Sequence, residues 1–130
     1  MLPLRFPYLW LVGGLFAMAV VLVLALVPTG RLTAISFLSD KTSHFIAFAV
    51  LMTWFCGVFR LPMTPLAALG LLGFGLLIEM LQSMLPYRSS EVRDVYADLL
   101  GIGAGWLLAL AGMRHWTRWV EARLPGRLAP

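Results

Sequence analysis

The chain has 130 residues, 61% of them hydrophobic and only 12% charged, against about 25% charged in an ordinary soluble domain. That balance excludes a water-soluble globule, and the length is used up by one compact all-α membrane bundle. The formal net charge of +4 lies between and after apolar runs, not in a basic patch interleaved with aromatic rings, so anionic lipid is the expected partner and nucleic acid is not.

Charge-free runs cover residues 6–30, 42–59, 61–78 and 99–113. Spans of about 20 apolar residues cross a bilayer as helices, and four are expected, at about residues 7–27, 41–59, 64–85 and 93–113. The first reads as a retained span, because its apolar stretch is longer than that of a cleaved leader and no small-x-small site follows. Tyr8 and Trp10 near its start suit the headgroup layer. Gly13 and Ala17, with Gly14 beside them, allow close helix approach, within the chain or in a homo-oligomer. Pro28 and Gly30 end this span. In the connection that follows, Ser39 or Asp40 is placed to cap span two. His44 lies one turn inside that span, three residues from Lys41 and four from Asp40, so either neighbour can meet it. Cys56 reads as a small apolar residue of the same span.

A tight turn at residues 60–63 leads to span three, with Thr64 as a candidate cap and Pro65 in the first turn. Gly70, Gly73 and Gly75 lie along it, and Glu79 and Gln82 share its far end. A polar loop with Pro86, Arg88, Ser90, Glu91 and Arg93 then opens span four. Asp94, Asp98, Gly101 and Gly105 fall on one face of that helix, two acids above two glycines. The tail, residues 114–124, is amphipathic: Arg114, Arg118 and Glu121 oppose Trp116, Trp119, Val120 and Leu124. It reads as an interfacial helix on the membrane surface.

With four spans, both termini and the Arg60 turn share one side, which holds six basic residues, Arg5, Arg60, Arg114, Arg118, Arg123 and Arg127. The other side holds four, Arg31, Lys41, Arg88 and Arg93. The excess places both termini in the cytoplasm of an inner-membrane protein. Nearly every ionisable group of the core then falls on the outer side.

Taken in order, Lys41-x-x-His44, Glu79-x-x-Gln82, the Pro86–Arg88–Ser90 loop and Asp94 with Gly101 and Gly105 resemble the pattern of the VanZ-like family of small membrane proteins. One position departs. Where that family usually carries Asn, this chain has Asp98, so a role that needs a side-chain N–H donor there requires a protonated acid. The resemblance implies a role at the cell envelope, linked in some members to resistance against lipid-binding glycopeptides; it supplies no established reaction.

Three readings of the polar end remain open on the residues alone. In the first it is an enzyme or lipid-modifying site. Glu79, Asp94 and Asp98 would hold a divalent metal ion, or His44 would act as base and Glu79 as acid, with Asp94 and Asp98 beside them. Lys41, Gln82, Arg88, Ser90 and Arg93 would bind an anionic or lipid-linked envelope precursor. In the second the same residues bind or shield such a lipid without catalysis. In the third they are a structural lock on the helix ends, costly to break although of little net stability.

Overall fold

The computed structural model describes residues 1–28, 40–88 and 91–126, and every regular element among them is helical. The order is α1 (Pro7–Leu26), α2 (Asp40–Cys56), α3 (Thr64–Ser83), α4 (Val92–Leu110) and α5 (Trp116–Arg123), with single 3-10 turns at Leu61–Met63 and Met113–His115. Pro7 and Pro65 sit in the first turns of α1 and α3, where their missing N–H leaves no helical bond unmade. Thr64 does not cap α3. It is the first helical residue, and its hydroxyl donates to Leu61 O at 2.8 Å. Of the two caps nominated for α2, Asp40 is its first helical residue and Ser39 lies outside the described residues.

α1 is apolar all round and buries only Gly14. Leu9, Val12 and Phe16 expose 62, 61 and 69% of their surface. A helix of that kind is stable with lipid tails, not water, around it. Two helical stretches, Pro7–Leu26 and Leu61–Ser83, are long and apolar enough to cross a membrane, and a third qualifies if α4 and α5 are one bent span. The other helices fall short of the expected four for definite reasons. α2 has 17 residues, about 25 Å of helix. α4 carries Arg93, Asp94 and Asp98 in its first two turns.

The core is built on α2. Phe48, Leu51, Met52 and Phe55 meet Leu71 and Ile78 of α3 and Ile102 and Ala109 of α4. α2 and α4 form the tightest seam. A methyl group on Gly101 would strike the Phe45 carbonyl oxygen, and one on Gly105 would strike the Ala49 carbonyl and stand 2.9 Å from Met52 Cβ. The Thr53 hydroxyl closes the seam, shared between Ala49 O at 2.8 Å and Gly105 O at 3.2 Å. On α1 the small residues are also filled from within the chain: Trp54 lies against Gly13, and Trp54 and Phe55 against Gly14. Gly70 and Gly73 of α3 meet nothing within 4 Å.

α2 ends before its expected limit, because Gly57 and Val58 N–H turn back to Trp54 O and Phe55 O at 2.9 and 3.0 Å. The tail, expected as an interfacial helix, is also tied to the bundle. Beyond α4 the chain bends by 76° through Gly112, whose φ of +127° suits glycine. α5 then docks across the bundle end. Thr117 is buried and donates to Gly57 O at 2.6 Å. The Trp116 ring lies 5.2 Å from Trp10 and 4.6 Å from Trp54, centroid to centroid. Glu121, expected on the polar face, accepts the backbone N–H of Arg5 at 2.9 Å, that of Phe6 at 3.0 Å and Trp10 Nε1–H at 2.7 Å. A carboxylate thereby receives free amides at the positive end of α1, and α5 is tied to the bundle while Arg118 and Trp119 stay exposed.

Candidate functional site

At the opposite end of the bundle the C-termini of α1 and α3 meet the N-termini of α2 and α4. Two layers of polar contacts form there. The outer one holds the helix ends together. The carbonyl of Ala25, free of a helical partner at the end of α1, accepts from Gln82 Nε2 at 2.8 Å, Arg88 Nε at 2.9 Å and Arg88 Nη2 at 2.6 Å. Arg88 Nη1 reaches Asp40 Oδ1 at 3.2 Å. The Tyr87 hydroxyl donates to Leu26 O at 2.8 Å. Lys41 Nζ pairs with Glu91 Oε2 at 3.1 Å, both side chains 47% exposed, a pair that solvent screens to little net stability.

The inner layer is buried. His44, Glu79, Gln82, Asp94 and Asp98 are all classed with the interior, Asp98 completely so. His44 Nδ1 lies 2.7 Å from Asp98 Oδ1, and its ring stacks parallel to Phe48 one turn on, at 6.4 Å. α3 can approach Asp98 because Gly75 has no side chain: a Cβ there would strike Asp98 Oδ2. His44, Glu79 and Asp94 each offer one ligand atom, and the three atoms lie within 4.8 Å of one another. Asp94 Oδ1, Asp98 Oδ2 and Gln82 Oε1 are buried with no hydrogen-bond partner among the described residues. Buried oxygens left without a partner are costly.

A family model described as VanZ/LLP1 matches residues 18–114, a stretch that holds all the residues of both layers. The chain belongs to the VanZ-like family. No curated protein and no solved structure matches it.

The candidate site residues divide between the two layers. His44, Glu79, Asp94 and Asp98 form the buried group, with Gln82 at its edge. Arg88 and Lys41 belong to the outer layer. Arg93 is exposed, and Ser90 lies outside the described residues. His44 does not pair with Lys41 or Asp40 on its own helix; its partner is Asp98 on α4, brought in by the glycine seam. The metal-capable group likewise contains His44 in place of Asp98, which stands behind the imidazole. Sequence reasoning passed over two contributors. Gly75 lies one turn before Glu79 on the same face of α3, which is a legible signal. The Ala25 carbonyl carries none, since a backbone acceptor is the same at every residue.

Proposed function

We propose that this VanZ-like chain crosses the inner membrane four times with both termini in the cytoplasm, and that its buried His–carboxylate group is an outer-side site for the headgroup of an anionic or lipid-linked envelope component. Family membership supports the envelope setting. The six-to-four basic bias supports the orientation. α2 and α4 serve as the two shorter or more polar spans, packed chiefly against each other along the glycine seam.

The observation that carries the reading is the His44–Glu79–Asp94 convergence with Asp98 behind it. A lock needs its groups satisfied, and the outer layer meets that need where Arg88 joins Ala25 O and Asp40. The inner layer leaves acid oxygens of Asp94 and Asp98 unpaired in the interior, an arrangement that stores cost unless a ligand or ion completes it. The alternative, a non-catalytic structural or shielding protein, predicts that every member of the cluster matters only for stability.

Two substitutions separate these readings. Glu79→Gln keeps shape and removes the charge. His44→Asn keeps an N–H for Asp98 and removes the outer ring nitrogen. Both variants are expected to melt near the parent while losing most binding to extracted envelope lipids. Unchanged lipid binding in both folded variants would sink the site; loss of folding in both would leave the lock as the better account.

A further inference from the structure

We propose that His44, Glu79 and Asp94 hold one transition-series divalent cation, and that this cation receives the phosphate of the lipid headgroup. The inference rests on the headgroup reading above and names what does the binding.

The argument starts from charge. A site for an anion is expected to offer cations, and the sequence nominates Lys41, Arg88 and Arg93, of which Arg93 is exposed at the start of α4, outside the buried group. Arg88 instead directs Nε and Nη2 to the Ala25 carbonyl and Nη1 to Asp40, with only 7% of its side chain exposed. Lys41 is held by Glu91. What stands beside His44 is Asp98 on one side and Asp94 on the other, and carboxylates repel a phosphate. A metal ion between them inverts that field, because a bound divalent cation is the largest local charge in such a site.

The donor set then selects the ion. One imidazole nitrogen with two carboxylate oxygens suits Mn²⁺, Fe²⁺ or Zn²⁺, whereas Ca²⁺ and Mg²⁺ favour oxygen ligands throughout. Bonds of about 2.0–2.2 Å in a tetrahedral site place ligand atoms roughly 3.3–3.6 Å apart, so a group within 4.8 Å closes on an ion by side-chain movements of up to about 1.4 Å. Three protein ligands leave coordination positions open for a phosphate oxygen. Two independent features point the same way. Asp94 is only 3% exposed and its Oδ1 has no hydrogen-bond partner among the described residues. Asp98 engages His44 Nδ1, which leaves Nε2 as the ring nitrogen available to a metal, the arrangement by which a carboxylate fixes a metal-bound imidazole. Exposure agrees with these roles: His44 and Glu79 each keep 8%, Asp98 none. Asp98 is therefore a positioning residue. The Asn usual in the family would also accept from Nδ1–H, but without the charge that makes the imidazole a stronger donor.

The full-length protein, purified in detergent and stripped with a chelator, is titrated with Mn²⁺ and Zn²⁺ and then with dioctanoyl phosphatidic acid. One ion per chain is expected, lost in Glu79→Gln, Asp94→Asn and His44→Asn. Asp98→Asn is expected to keep the ion with affinity about 10–100-fold weaker. Loaded with Cu²⁺, the parent should show electron spin echo modulation from the remote nitrogen of a single imidazole, absent in His44→Asn; this readout needs no stable carboxylate variant. Phosphatidic acid should bind only the loaded protein. Dioctanoylglycerol, with the same chains and no phosphate, should not bind, and inorganic phosphate should bind more weakly than the lipid. No stoichiometric ion in the parent, or lipid binding that survives the chelator, overturns the metal inference and leaves the headgroup reading standing. An ion bound as described with no binding of phosphatidic acid overturns its phosphate half and counts against the headgroup reading. Equal binding of inorganic phosphate and the lipid assigns the site to free phosphate and overturns the lipid half.

Discussion

Gly105→Leu is expected to lower the melting temperature of the detergent-purified protein by many degrees, and Gly101→Leu to do nearly the same. At both positions the first atom added meets a backbone carbonyl of α2, Ala49 O or Phe45 O. Backbone has no rotamer to escape into, so the two helices must separate. Overpacking of this kind costs about 1–3 kcal/mol when neighbours can adjust, and the upper part of that range or more applies where they cannot. Separation also breaks the Thr53 bridge to Gly105 O and pulls Asp98 away from His44. Gly103→Leu and Gly70→Leu are the matched controls: the same residue is added on α4 and α3 where nothing lies within 4 Å. Those variants should melt with or slightly above the parent, since glycine is a poor helix former. If all four behave alike, the α2–α4 seam is not where the chain is held.

The second large effect is expected at Arg88. Its guanidinium joins the loop between α3 and α4 to the last turn of α1 and the first turn of α2 through Ala25 O and Asp40. Hydrogen bonds from a charged donor contribute about 1.5–3 kcal/mol, and the positive charge also faces the negative end of the α1 dipole. Since α1 buries only Gly14, it depends on such contacts more than the other helices. Arg88→Leu should therefore lower the melting temperature clearly and make the Ala25 end of α1 more open to proteolysis. Arg88→Lys should recover part of the loss, because an ammonium reaches one of the two acceptors and not both. Lipid binding per folded molecule should stay near the parent value in the lysine variant. Lost binding with an unchanged melting temperature would instead put Arg88 on the ligand.

The contrast between Arg88 and Asp98 shows how much of the molecule is legible in its sequence. Charge-free runs broken by proline and polar turns locate α1 to α4 to within a few residues, and the Asp94–Asp98–Gly101–Gly105 face is buried as a unit. From that face alone Asp98 is expected to point at whatever helix the glycines admit, and that helix carries His44. The pairing was missed because residues three and four apart on one helix are certain neighbours, whereas the rotation of α2 against α4 is decided only when both pack. Arg88 reads as a headgroup ligand for a similar reason. A guanidinium beside carboxylates suits phosphate, but two of its three bonded nitrogens go to a main-chain carbonyl that no residue type announces. The tail shows the limit of amphipathic patterning: Glu121 does sit opposite Trp119, yet the amides at the start of α1 draw it inward, and a face that looks solvated becomes a docking contact.

The functional account stands on one placement, that the end of the bundle bearing His44, Glu79, Asp94 and Asp98 faces out of the cell. Fusing a reporter that is active only outside the cytoplasm to Pro130 of the full-length chain measures it directly, since the four proposed spans put both termini opposite that end. The fusion is predicted to be expressed and inactive, while the same reporter inserted after Arg88 is predicted to be active. An active fusion at Pro130 with an inactive one after Arg88 would turn the cluster toward the cytoplasm and contradict an outer-side headgroup site.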